Sequence, residues 1–240
     1  MINYLFIIFL FFIVTLKAIT IQNENDFIEK LTKSISDTTI NLTIDTNIVV
    51  SKNFTLSTKI KKVSLNGKLS TSILTLDYPL YFDNHVEEVE LKNITINGSL
   101  LFHNNKKITL DTIILNGNIN TDMNDSINEY IKFNKLSYQP IENKKNHHCI
   151  NIQGNLEITN SEFYGSSSCQ ERVLNYDGMG NYEITIKNSS ISGEYQCSCL
   201  TISSSKKADI QYTYFEKGFS GDGKEGGSAI RMISTYKNLS

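Results

Sequence analysis

Leu156-Glu157-Ile158-Thr159-Asn160-Ser161-Glu162-Phe163 is the stretch that decides how this chain folds. Leu156 and Ile158 are one residue apart, so both side chains leave the same side of a short extended strand. Phe163 comes after a longer interval, and the backbone must bend before the strand that carries it. Asn160 stands at that bend. Asn is the non-glycine residue that best tolerates the left-handed conformation a sharp corner needs.

The same φ-x-φ-x4-φ pattern, with φ an apolar residue, runs along the chain. It reads Leu42, Ile44, Val49; Val89, Leu91, Ile96; Ile108, Leu110, Leu115; Ile131, Phe133, Tyr138; Ile184, Ile186, Ile191; and Ala208, Ile210, Phe215. A poorer copy begins at Val63 and Leu65, with Ser70 in the third place. Including the segment at Leu156, the copies start 21, 26, 19, 23, 25, 28 and 24 residues apart, so the loops vary while the core spacing holds. Asn93 and Asn188 occupy the place of Asn160; Thr46, Thr112, Lys135 and Tyr212 occupy it in other copies. Gly98, Gly117, Gly165 and Gly193 follow at one offset, and Gly218 one residue later, which fits a second corner. A third short strand follows in several copies, as in Cys149-Ile150-Asn151-Ile152 and Cys199-Leu200-Thr201-Ile202.

Units of this length cannot bury an apolar face alone and become stable when equivalent strands stack in parallel. The reading is an all-β chain: a right-handed parallel β-helix of about eight coils over 42–240, roughly 40 Å long at about 4.8 Å per coil. Leucine-rich repeats have similar periods but need regular leucines that are absent here, and an antiparallel sandwich would show turn signals about twice as often. Residues 19–41 read as an N-terminal cap. Within it Phe27, Ile28, Leu31 and Ile35 recur at helical spacing over Asn25–Ser36, with Asn25 or Asp26 as N-cap. An amphipathic helix there would cover the open end of the stack. No matching cap is read at the other end, so the expectation is a β-helix cut short at its C-terminus.

The segments Asn160-Ser161-Glu162-Phe163 and Gly226-Gly227-Ser228-Ala229-Ile230 are phrases of β-helix coils, and from Leu42 onward the chain resembles the pectin-lyase-like right-handed β-helix superfamily. In style it is similar to secreted repeat proteins of surface or adhesin type. That resemblance implies architecture rather than activity, because the superfamily holds polysaccharide lyases, polygalacturonases, tailspike-like hydrolases and non-enzymatic adhesins. Polygalacturonases use clustered aspartates with Gly-His-Gly and Arg-x-Lys segments, and neither segment occurs here; Arg231 is followed by Met232 and Ile233. Glu87, Glu88 and Glu90 form one acidic cluster, read as a solvated strand edge. His147 and His148 precede Cys149 without a zinc-finger partner set, within a polar loop running from Glu142 to His148, and His85 and His103 stand alone. The Gly-rich, acidic segment Ser220–Gly227 reads as a long turn between coils, since the calcium-binding nonapeptide repeat is missing. No catalytic, cofactor-binding or metal-ligating residues are assigned.

Met1–Ala18 holds an apolar run from Tyr4 to Val14, too short to cross a bilayer and suited to a secretory signal peptide. Asn-x-Ser/Thr glycosylation acceptors stand at Asn41, Asn53, Asn93, Asn97, Asn124, Asn188 and Asn238. The four cysteines, confined to the second half, suit local staples in an oxidising compartment. Cys169 lies four residues after Gly165 and Cys197 four after Gly193. One coil apart at equivalent places, they are expected to pair, leaving Cys149 and Cys199 as buried thiols. A net charge of −2, with only two arginines, argues against a hold on nucleic acid phosphates.

The function expected is therefore a secreted or cell-surface structural or binding protein of adhesin type, with carbohydrate or an extracellular protein as partner. The alternative is a carbohydrate-active enzyme, a polysaccharide lyase or glycoside hydrolase of the same superfamily. The face assignment gives a first prediction. Ile158→Asp, which places an unpaired charge at an inward position, should abolish secretion of the folded chain, whereas Glu157→Lys should be secreted. Equal yields of the two variants in the culture medium would refute the assigned faces.

Overall fold

The computed structural model describes residues 18–33, 38–69, 71–123, 129–141, 146–220 and 229–234; of 146–148 only the backbone is described. The elements run β1 (Ile19–Ile21), α1 (Glu24–Thr32), β2 (Thr39–Ile44), β3 (Asn47–Val50), β4 (Lys62–Gly67), β5 (Ile73–Leu76) and β6 (Leu80–Phe82). Three long strands follow: β7 (Glu88–His103), β8 (Lys107–Asp122) and β9 (Tyr130–Gln139). Next come β10 (Asn146–Gln153), β11 (Asn155–Thr159), β12 (Glu162–Tyr164), β13 (Cys169–Asp177) and β14 (Glu183–Lys187). The last are β15 (Ser190–Ser192), β16 (Ser198–Ser203), β17 (Lys207–Gln211), β18 (Tyr214–Glu216) and β19 (Ile230–Ile233).

The pairings recorded between these strands are parallel, and each joins one coil to the next. The protein is thus a parallel β-solenoid of about eight coils with three faces. The first face stacks β1, β2, β4, the starts of β7, β8 and β9, then β11, β14 and β17. The second stacks β3, β5, the middles of β7 and β8, the end of β9, β12, β15 and β18. The third stacks β6, the ends of β7 and β8, β10, β13, β16 and β19.

Register explains the sequence pattern. Val89, Ile108, Ile131, Leu156 and Ile184 stand level on the first face and are buried. Ile158 points inward among them, and its neighbour Glu157 points out. Phe82 and Phe102, level on the third face, stack with ring centroids 5.2 Å apart, a spacing set by the strand separation.

The first copy is placed differently from the sequence reading. Ile40 and Leu42, rather than Leu42 and Ile44, stand level with Val63 and Leu65. Ile48 and Val50 are buried, and Val49 is 57 % exposed. In the next copy Leu74, level with Ile96, takes the place read at Ser70, which lies outside the described residues. Longer corners between Leu42 and Ile48, and between Leu65 and Leu74, cause both differences. Thr46 therefore does not sit at the equivalent corner.

The corner between the first and second faces is left-handed whichever residue occupies it. Asn93, Thr112, Lys135, Asn160, Asn188 and Tyr212 have φ between +50° and +58°. Over these six coils the stack repeats one corner shape, while the longer corners after β2 and β4 are accommodated with the strands on either side still paired. Immediately after the corner the inward side chains change character along the stack. Ile94, Ile113 and Leu136 give way to buried Ser161 and Ser189 and half-buried Thr213. Each hydroxyl donates to the carbonyl two residues back: Ser161 to Thr159 at 2.8 Å, Ser189 to Lys187 at 2.8 Å and Thr213 to Gln211 at 3.0 Å. Ser161 and Ser189 also accept from the backbone N–H of Leu136 and Ser161 in the preceding coil, both at 3.1 Å. The serines therefore carry inter-coil hydrogen bonds through a corner where the ladder is interrupted.

At the second corner glycine is required by close approach. A Cβ on Gly117 would overlap the carbonyl oxygen of Gly98, its partner in the preceding coil, and one on Gly165 would lie 2.7 Å from the Cys197 sulfur. Of these two corner glycines paired between β7 and β8, Gly98 also has a positive φ, +146°.

The N-terminal end is closed as expected, with shifted boundaries. The helix spans Glu24–Thr32 with Asn23, not Asn25 or Asp26, as N-cap; its side chain accepts from the Asp26 N–H at 3.0 Å. Phe27 and Leu31 are buried in the common core, and Phe27 meets Phe54 edge-on. Glu24 accepts from the backbone N–H groups of Ser51 and Lys52 at 2.6 and 3.0 Å, clamping the helix to the loop after β3. These hydrogen bonds, the Ser51 N–H foremost, hold the Glu24 carboxyl below the usual carboxylate range. β1 is already a rung of the first face, pairing Ile19 with Leu42, so the cap of residues 19–41 contributes strand as well as helix.

Thr112 is the β-branched member of the left-handed corner, where its Cβ is strained. Thr112→Asn should stabilise the fold by about 1 kcal/mol, raising the melting temperature by roughly 2–4 °C. Thermal unfolding followed by circular dichroism tests this, and a lower midpoint for the variant would show that the corner is not what limits Thr112.

Candidate functional site

Charge on the outer side of the first face is spent on itself. Glu87 pairs with Lys106 at 2.8 Å, Glu88 with Lys62 at 3.0 Å and Glu90 with Lys92 at 2.5 Å. The acidic cluster seen in the sequence is thereby divided among three lysines. Further along, Glu157 accepts from Lys132 at 2.9 Å and from the Tyr130 hydroxyl. Those two bonds hold the Glu157 carboxyl below its usual range. Burial, then the bond to Glu157, pushes the Tyr130 phenol up to about 12. Of these ion pairs all but Glu90–Lys92, which lies within β7, join successive coils, and being part-exposed they contribute little to stability.

The histidines are dispersed. His103 Nδ1 lies 3.1 Å from an Asp122 carboxylate oxygen, and its Nε2 lies 3.1 Å from the Asn104 amide nitrogen. His85 Nδ1 is 3.8 Å from Asp83. The side chains of His147 and His148 lie outside the described residues, as does 221–228, nearly all of the Gly-rich turn. Among the described residues no three His, Cys, Asp or Glu side chains are grouped to hold a metal ion, and no helix is long and apolar enough to cross a membrane.

The cysteine pairing differs from the sequence expectation. Cys149 is bonded to Cys169, with Cα atoms 5.2 Å apart, while Cys197 and Cys199 are free and buried. Counting from Gly165 and Gly193 misplaced Cys169. The stretch from Gly165 to Val173 is two residues longer than that from Gly193 to Cys199, although Val173 and Cys199 stand level in β13 and β16. The extra length lets Cys169 open β13 beside Asn146, with a register shift before His148, so it faces the preceding coil rather than the next. Cys197 instead sits against Gly165, and Cys199 donates to the Glu216 carbonyl at 3.3 Å. Burial pushes the Cys197 thiol up to about 12 and raises that of Cys199.

The outer side of the second face differs from the first. Glu162, Ser190 and Tyr214 stand level in successive coils, and Tyr164, Ser192 and Glu216 form the parallel row. At the corner beside them lie Asn160, Asn188 and Tyr212. Tyr212 is 82 % and Tyr214 75 % exposed. Together with Glu162 and Ser190 these residues line an open groove of about 540 Å³. A second groove, of about 420 Å³, borders the far edge of the same face, lined by Gln139, Pro140, Tyr164, Ser166, Glu194 and Lys217. Glu194 accepts from the Ser192 hydroxyl at 2.6 Å and from Lys217 at 3.1 Å; the Ser192 bond, then the lysine, lower the acid's pKa, and the pairing raises that of Lys217. The Tyr164 hydroxyl donates to Glu162 at 3.1 Å, and that bond raises the phenol. Aromatic faces, amides, hydroxyls and carboxylates thus converge on one surface of β12, β15 and β18, an arrangement suited to recognising a polyhydroxylated or polar ligand. The sequence pattern reserved Tyr212 as a corner residue and missed this site; its one local signal was the Tyr212-Thr213-Tyr214 alternation, which puts one ring at the bend and the next facing out.

The glycosylation acceptors are unequal. Asn53, Asn93 and Asn188 are exposed and Asn41 half-buried. Asn97 is tied into a ladder, accepting from Asn116 at 2.8 Å and donating toward Thr75 at 3.4 Å. Asn124 and Asn238 lie outside the described residues, as does Met1–Ala18 apart from its last residue. Comparison with protein-family models, with curated proteins and with solved structures finds no match.

The cysteine geometry predicts chemistry that can be read by mass. Iodoacetamide should leave the native protein unmodified at neutral pH, because Cys197 and Cys199 are buried and their thiolates disfavoured. Unfolding without reductant should add two labels, at Cys197 and Cys199, with Cys149 and Cys169 recovered as one linked peptide pair. A Cys169–Cys197 linkage would contradict this register.

Proposed function

We propose that this chain is a secreted or cell-surface binding protein of adhesin type, a right-handed β-helix of the pectin-lyase-like kind in which a rigid solenoid presents its second face to an extracellular ligand. The observation that carries the reading is the groove beside Tyr212 and Tyr214. Two large aromatic side chains left in water, next to amides, hydroxyls and a carboxylate, contribute little to the fold and much to a contact. The disulfide between Cys149 and Cys169 supports passage through an oxidising compartment. The self-neutralised first face supports a division of labour, one side of the rod stabilising the stack and another left for recognition.

The purified protein, offered to arrays of glycans and of extracellular matrix proteins, should be retained on a defined subset, with Tyr214→Ala losing tenfold or more in affinity. The same preparation should leave pectins and other polysaccharides undegraded with or without Ca²⁺. Turnover that a Glu-to-Gln change on the second face removes would replace this reading with a polysaccharide lyase or glycoside hydrolase.

A further inference from the structure

We infer that the groove over β12, β15 and β18 is a subsite for a neutral glycan chain, with Tyr212 and Tyr214 as stacking platforms and Asn160, Asn188, Ser190 and Glu162 meeting its hydroxyls. This deepens the binding reading above and rests on it.

Three observations lead there. The first is strain. Tyr212 has φ +50° in the corner position that Asn160 and Asn188 hold in the two preceding coils. Asn relieves a left-handed corner, and a bulky aromatic does not. Burial offers no compensation, since the ring is 82 % exposed. A residue kept in a costly conformation without a packing return points to use.

The second is register. Ser190 pairs with Tyr214, and Lys187 with Gln211, so that Asn188 comes level with Tyr212. Each ring therefore has an amide or hydroxyl one rung away, about 4.8 Å. A sugar ring can lay its C–H face on the tyrosine while its equatorial hydroxyls reach the neighbouring rung.

The third is charge. The lining carries one carboxylate, Glu162, and no lysine or arginine. Lys135 occupies the same corner column one coil before Asn160 and does not line the groove. A polyuronate or a phosphate would meet an uncompensated negative charge, whereas a neutral glycan offers Glu162 hydroxyl donors. A protein partner would need a patch of about 800 Å² on this side, while the groove is an open concavity lined by residues of three coils.

The test uses the full chain secreted from a host that leaves Asn188 unmodified, with neutral hexose oligosaccharides of several linkages and oligogalacturonate as probes. At least one neutral oligosaccharide should bind, with affinity unaffected by salt, and oligogalacturonate should not. Tyr212→Asn separates structure from recognition. It restores the corner residue of the neighbouring coils, so it should raise the melting temperature by about 2–4 °C while weakening binding at least tenfold. Undiminished binding by Tyr212→Asn overturns the inference, as does preference for oligogalacturonate. Retention of a matrix protein alone through Tyr214 overturns the neutral-glycan assignment and leaves the binding reading standing. Retention of no glycan and no matrix protein overturns both.

Discussion

Parallel hydrogen bonding between one coil and the next is the constraint on which the rest of this structure depends. Slanted backbone bonds between neighbouring coils hold each residue of a face level with its counterparts above and below, so a position recurs from coil to coil. An apolar residue becomes a column, and so does a corner. That is why φ at the first corner stays within a few degrees over six coils although the occupant changes from Asn to Thr, Lys and Tyr. The backbone conformation belongs to the stack, and the individual side chain accommodates it.

The same constraint governs where polar groups can enter the core. Ser161 and Ser189 are buried at places that earlier coils fill with Ile and Leu. They remain tolerable because each hydroxyl both donates to its own strand and accepts from the preceding coil. Amide ladders act likewise outside the core: Asn175 donates to Asn151, and Asn151 to Asn120, at 2.8 and 2.9 Å. Stacked identical amides satisfy one another because the rung spacing matches a hydrogen bond between side chains of equal length. Glycine at the second corner is the steric counterpart, the place where two coils come too close for a Cβ.

Against that background the second face stands out by what it does not do for the stack. The first face converts its charge into inter-coil ion pairs, and the third stacks Phe82 on Phe102 inside and amides outside. Tyr212 and Tyr214 keep their rings in water, although Glu162 beside them is held by Tyr164 and Asn160 by Asn134. In a solenoid, where stability accrues coil by coil through nearest neighbours, a local surface can carry such residues at modest cost because the loss stays within one or two rungs.

The amino-acid sequence by itself determined the repeat, the strand faces and the two corners. Alternation around Ile158 and the recurring Asn-or-substitute position are local properties, dictated by two-residue periodicity and by backbone sterics within a few bonds. It misplaced the first copy at Leu42 and the partner of Cys169, because both depend on how long a corner or loop is before the chain rejoins the stack. Loop length shifts register by whole residues without altering any local preference. The candidate groove was hidden for the same reason. Asn160, Glu162, Asn188, Ser190, Tyr212 and Tyr214 come from three coils separated by 20 to 30 residues, and only the stacking of those coils, a set of non-local hydrogen bonds, brings them onto one surface.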